Sequence, residues 1–158
     1  MARFGSAFVV GLVAAAAVFL SQWSGLRLWV IFVGWTGCFL FFPDIRRTAF
    51  AALHNILGVA LGMLTAATIA ALDAYLGSAA APLAVFVLAT GLVLLERRPP
   101  FDNIPAYFIG LSIYFASGLP AGIASTVTLS AAIVAGYLLG FATIYLRTAY
   151  ERAIATTD

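Results

Sequence analysis

The sequence predicts an all-α membrane protein: six transmembrane helices arranged as two inverted three-helix repeats, within one transmembrane domain spanning residues 1–158. Three observations predict it. Hydrophobic residues make up 64% of the chain and charged residues 9%, against about 25% charged in an ordinary soluble domain. A soluble fold of this size could not hide so much apolar surface, so lipid is the expected solvent. The apolar runs are continuous, not alternating, and rich in alanine and leucine, which selects helices over a barrel. Finally, the runs fall into two sets of three that share residues in register.

A spanning helix needs roughly 20 apolar residues, and six candidates follow in order. The first, about 5–22, comes after Arg3. It is long for a secretory signal core, and its removal would leave an unbalanced set of helices, so it is expected to be a retained span. The second, about 27–42, contains FVGWTGCFLFF. The third, about 48–72, carries the pair His54-Asn55 and then GVALGMLT. The fourth, about 79–96, is an apolar run closed by Glu96, Arg97 and Arg98. The fifth, about 104–117, starts at Pro105 and contains FIGLSIYFASG. The sixth, about 121–147, contains GYLLGFAT and ends at Arg147.

Arginine placement orients these spans. All 8 basic residues are arginines. With six crossings, Arg3, Arg46, Arg47, Arg97, Arg98, Arg147 and Arg152 share one side and only Arg27 lies on the other. That bias puts both termini in the cytoplasm. If spans two and five were re-entrant half-loops, Arg46, Arg47, Arg97 and Arg98 would join Arg27 outside and the bias would reverse. Trp23, Trp29 and Tyr75 fit an outer aromatic belt, and Tyr150 an inner one.

The internal repeat comes from register. A shift of 76 residues takes Phe32, Gly34 and Phe39 onto Phe108, Gly110 and Phe115. A shift of 78 takes Gly58, Leu61, Gly62 and Thr65 onto Gly136, Leu139, Gly140 and Thr143. The first and fourth spans match only weakly. Three helices per half forces the halves to enter the membrane from opposite sides, with repeat one at about 5–72 and repeat two at about 79–147. Transporters and channels built this way place their site near the midplane, at paired short or glycine- and proline-interrupted helices. Spans two and five fit that description, although duplicated bundles also arise for structural reasons alone.

Candidate residues follow. Gly34, Phe39, Gly110 and Phe115 would form a constriction. Gly58, Gly62, Gly136 and Gly140 place small residues four apart, which lets helices approach closely; packing between spans three and six is one reading. The other is that Thr65 and Thr143 line a narrow path. No Asp, Glu or Arg falls near the middle of a span, which weighs against a carboxylate-driven pump or a charged ion pore. His54 and Asn55 are the exception. They are either a structural hydrogen-bonded pair or polar contacts for a solute, and the second half has Ala132 and Ile133 in the corresponding place. Asp44, Arg46 and Arg47, like Glu96, Arg97, Arg98 and Asp102, read as topological anchors and interfacial ion pairs. Cys38, alone, reads as a small core residue. No catalytic constellation, metal spacing or nucleotide fingerprint is legible, so neither an enzyme nor a cofactor is expected. The charge of +2 is no nucleic-acid signature.

LRLWVIFVGWTGCFLFFP and FDNIPAYFIGLSIYFASG, with the glycine-bearing third and sixth spans, resemble the small inner-membrane proteins of the domain-of-unknown-function family numbered ten ninety-seven. The resemblance covers about Leu26 to Leu146. It implies a multi-pass protein of the bacterial cytoplasmic membrane and supplies no substrate. The paired Asn-Pro-Ala boxes of aquaporins and the twin pore histidines of ammonium channels are absent. The expected function is a channel or facilitator for a small neutral or weakly polar solute. The alternative is a non-transporting membrane subunit that assembles with itself or a partner. Because six short helices enclose little interior, a homo-oligomer in the lipid bilayer is expected.

Overall fold

The structure, a computed structural model, describes residues 2–155. The side chain of Arg3, used in the charge count, lies outside the described residues. Among the described residues all regular structure is helical: α1 (Ala2–Ser24), α2 (Leu28–Phe41), α3 (Ile45–Leu76), a 3-10 turn (Gly77–Ala79), α4 (Ala80–Val93), α5 (Ile104–Ser117) and α6 (Ile123–Ala155). Three stretches are long and apolar enough to cross a membrane: Phe4–Ser24, Ile45–Val93 with its 3-10 interruption, and Ile123–Ala155. Their outward residues are themselves apolar. Phe4, Phe8, Leu12 and Phe19 are exposed on α1, a surface that water would penalise and lipid would not. The chain is thus a membrane-type helical protein.

Helix ends follow local chemistry. Asp44 caps α3, its Oδ1 accepting from the backbone N–H of Arg47 at 3.0 Å. Asn103 caps α5 through Oδ1 and the N–H of Ala106, with Pro105 in the first turn where its missing N–H costs nothing. Asp44 also pairs with Arg47 at 3.5 Å on the surface, so it combines the expected anchor with a cap. The α3–α4 break comes at Gly77, whose φ of 50° is cheap only for glycine. Gly118 (φ 63°) ends α5 in the same left-handed conformation.

The helices α2 and α5 are 14 residues each, about 21 Å of rise against a hydrocarbon core of about 30 Å. Conversely, α3 and α6 run to 32 and 33 residues, and α6 continues past Arg147 to Ala155.

The chain forms two compact units. Unit one comprises residues 1–48 and 131–158. In it α1 packs beside α2, and Val13, Ala17, Val30, Ile31, Cys38 and Ile133 are buried. Unit two comprises residues 49–130. Its core gathers Leu92, Ile104, Tyr107 and Leu111, with Leu57, Leu61, Leu88 and Leu95 against them. Near its end the Thr126 hydroxyl donates to Met63 Sδ at 3.2 Å.

Candidate functional site

In unit one, α2 crosses the part of α6 around Gly136. A Cβ added to Gly34 would sit 2.6 Å from the Ile133 carbonyl oxygen and 3.3 Å from the Gly136 Cα. A Cβ on Gly136 would run into the Ile31 carbonyl and lie 2.9 Å from the Gly34 Cα. One turn along, a Cβ on Gly140 would meet the Cys38 side chain at 2.5 Å. Contacts this short leave no space for a methyl group, and the two backbones touch.

In unit two, α3 crosses α5 in the same register. A Cβ on Gly110 would collide with the Asn55 carbonyl and lie 2.9 Å from the Gly58 Cα. A Cβ on Gly58 would meet the Tyr107 carbonyl, and one on Gly62 would meet the Tyr114 ring at 2.8 Å. The shift of 76 carries Ile31, Gly34 and Cys38 onto Tyr107, Gly110 and Tyr114, and the shift of 78 carries Asn55, Gly58 and Gly62 onto Ile133, Gly136 and Gly140. The contacts of Gly34, Gly136 and Gly140 in one unit therefore have counterparts at Gly110, Gly58 and Gly62 in the other, whereas Gly37, against the Tyr137 hydroxyl, has none.

These crossings correct the reading that the stripes of spans three and six pack on each other. The stripe of α3 faces α5, and the stripe of α6 faces α2. The short helices carry glycines of their own, Gly34 and Gly110, so each long stripe finds a small residue on a short helix and the backbones can touch there. Gly34 and Gly110, expected in a constriction, have their free side filled by a neighbouring backbone. Phe39 and Phe115, expected beside them, are 41% and 47% exposed, packing at their inner edges on Trp35 and Tyr114. Thr65 and Thr143 are buried. Their hydroxyls donate back to the Leu61 and Leu139 carbonyls, each at 2.7 Å, an internal arrangement that leaves those donors satisfied.

The remaining candidates, His54 and Asn55, lie side by side on α3 and are both 0% exposed. The His54 imidazole stacks on Tyr107 of α5, centroids 4.7 Å apart and planes inclined by 17°. Phe50 and Phe101 close around it at 6.1 and 6.3 Å. Neither ring nitrogen makes a hydrogen bond of good geometry among the described residues; the Pro100 carbonyl is close enough to accept a weak one, and the Asp102 carboxylate lies nearby. The Tyr114 hydroxyl and the Ser130 hydroxyl share this condition in the same unit. Buried polar atoms of this kind cost roughly 1–3 kcal/mol each unless something bonds to them. Tyr107 and Tyr114 were not among the sequence candidates. Their signal was available: they lie seven residues apart, two turns along one face of α5, in the helix that pairs with His54.

Among the described residues no cluster of three or more His, Cys, Asp or Glu could hold a metal ion.

Residues 7–147 match the family described as protein of unknown function (DUF1097). The chain belongs to that family. The matched range includes both glycine crossings and the residues around His54. No curated protein and no solved structure matches the chain.

Proposed function

We propose that this member of the family is a channel or facilitator of the bacterial cytoplasmic membrane for a small neutral or weakly polar solute. Six crossings arranged as two inverted three-helix repeats, with both termini cytoplasmic, are part of this reading. The twinned glycine crossings support it, since each joins a short helix of one repeat to a long helix of the other. The arginine count supports the orientation.

The observation that carries a transport role is the set of buried polar atoms in unit two. Tyr114 and Ser130 each present a hydroxyl with no partner among the described residues, and His54 two ring nitrogens that make no hydrogen bond of good geometry there. In a membrane interior that cost is tolerated where a polar guest compensates it. A neutral imidazole offers one donor and one acceptor, which suits a solute able to do both. On this reading His54, with Asn55 beside it, contacts the solute. Gly34, Gly58, Gly62, Gly110, Gly136 and Gly140 hold the helices, and no catalysis or cofactor is involved.

The test is osmotic swelling of proteoliposomes with a panel of small amides and polyols. Swelling should exceed that of empty vesicles for at least one solute. His54→Phe keeps the stacked ring and removes its nitrogens. A lost neutral hydrogen bond, about 1 kcal/mol, should then slow passage roughly fivefold. No acceleration for any solute would remove the reading.

A second reading, a non-transporting subunit that assembles with itself or a partner, is favoured by Phe39 and Phe115. These repeat-related aromatics are exposed in each unit and suit a face between copies of the chain. A homo-oligomer is compatible with both readings.

A further inference from the structure

The groups packed around His54 suit a cation. The imidazole is fully buried, and its neighbours reach it from three elements of unit two. The Tyr107 ring of α5 lies nearly flat on it at 4.7 Å. Phe50 of α3 stands 6.1 Å away, and Phe101, in the turn before α5, 6.3 Å away. That turn also brings the Pro100 carbonyl and the Asp102 carboxylate. Asp102 is the charged group that acts on the ring, and Tyr107 is the titratable group that α5 sets against it. Aromatic faces attract a cation within about 6 Å of the ring centroid, and carbonyl and carboxylate oxygens accept hydrogen bonds. A neutral imidazole has one N–H to offer them, whereas an imidazolium has two.

The internal repeat shows that packing does not demand these polar groups. The shift of 78 takes His54 onto Ala132, and the shift of 76 takes Ile31 onto Tyr107 and Leu26 onto Asp102. Ile31 and Ala132 are fully buried in unit one. The same glycine crossing is thus built there from apolar side chains alone. The histidine, its stacked phenol and its carboxylate form a set carried by unit two only. Asp102 is exposed, so the set also has a contact with solution, on the cytoplasmic side if there are six crossings.

We propose that His54 is a proton-operated closure of the solute site: the neutral ring receives the solute, and the imidazolium, held by Asp102 and the face of Tyr107, shuts it out. This deepens the transport reading and rests on it. The chemistry is a single proton transfer. A proton from solution adds to the bare ring nitrogen, which removes the acceptor offered to the solute. Both N–H groups then face protein acceptors, the Pro100 carbonyl and the Asp102 carboxylate, and the turn at 100–102 is drawn onto α3. Histidine is the side chain whose charge ordinarily changes between about pH 5 and pH 8. Passage should fall as the solution becomes more acidic.

The chain has 1 histidine, so its ring can be followed without assignment. The full chain, purified without a polyhistidine tag and labelled with 15N-histidine, would be titrated in detergent by NMR. The ring should pass from the neutral to the doubly protonated pattern between about pH 8 and pH 5. Asp102→Asn should move that midpoint to lower pH by about half a unit, a screened version of the usual effect of an adjacent carboxylate. Glu96→Gln, which removes an exposed carboxylate from the same connection, should leave it in place. In proteoliposomes, swelling above that of empty vesicles should follow the same midpoint and fall about tenfold for each pH unit below it; Asp102→Asn should displace the swelling curve with the NMR curve. A ring that stays neutral throughout, equal effects of Asp102→Asn and Glu96→Gln, or swelling that ignores pH while the ring titrates would each overturn the closure and leave the transport reading standing. Absence of swelling at every pH would remove the transport reading and the closure with it.

Discussion

Adding one methyl group at Gly34 is the sharpest perturbation that the helix crossings allow. In Gly34→Ala the new carbon would sit 2.6 Å from the Ile133 carbonyl oxygen. Carbon–oxygen contacts between packed helices settle at about 3.3–3.6 Å, so α2 and α6 must separate by roughly 0.7 Å. Both atoms of the clash are tied to helical backbone, and no rotamer change relieves it. Overpacking of this kind costs about 1–3 kcal/mol, and the rigid partner places Gly34→Ala near 3. For a chain of this length that is a fall of about 6–12 °C in Tm. The control is Gly91→Ala on α4, where an added Cβ meets nothing within 4 Å. There the gain in helix propensity should leave stability equal or higher by about 0.5–1 kcal/mol. The assay is thermal unfolding of the two variants in the same detergent, followed by helical circular dichroism. Gly34→Ala indistinguishable from Gly91→Ala would refute the backbone contact.

Other consequences can be checked alongside. Gly110→Ala should destabilise about as much as Gly34→Ala, since its methyl meets the Asn55 carbonyl of α3; a much smaller fall in Tm would break the equivalence of the crossings. Gly34→Ala and Gly136→Ala should combine non-additively, because the two positions face each other, and strict additivity in Tm-derived free energies would count against their contact. Thr65→Val and Thr143→Val should change stability by less than about 1 kcal/mol, because each hydroxyl is bonded within its own helix. A larger loss, read by the same melts, would show that the hydroxyls hold another element. Asn103→Ala should cost about 1 kcal/mol by removing the α5 cap, and amide exchange in the first turn of α5 should rise with it.

Much of this was legible in the residues, for physical reasons that also mark where reading stopped. The long spans follow from apolar composition alone, which lipid enforces directly. The register of the repeat was visible because glycine at a backbone contact tolerates no substitute, so Gly34 and Gly110, or Gly58 and Gly136, stand out at fixed offsets. Their pairing was not visible. A glycine stripe says that something comes close and not which helix does, and the stripes of α3 and α6 turned out to face the short helices. The length of α6 was underestimated because Arg147, Glu151 and Arg152 look like the start of a loop. In fact these residues suit an exposed helix, with Arg147 and Glu151 one turn apart. His54 stood out as an ionisable group in an apolar run, but its stacking partner Tyr107 lies 53 residues away, beyond any local pattern. Phe39 and Phe115 share a register without sharing a site, since periodicity fixes a face and not what that face meets.

The inverted arrangement is best decided by side-specific labelling. In a Cys38→Ser background, single cysteines at Gly25, Asp44, Arg98 and Pro120 would be exposed in intact cells to a membrane-impermeant thiol reagent. Six crossings predict labelling at 25 and 120 from outside and protection at 44 and 98 until the membrane is opened. Labelling of all four positions in intact cells would mean that α2 and α5 do not cross, and the two halves would then not be related by inversion.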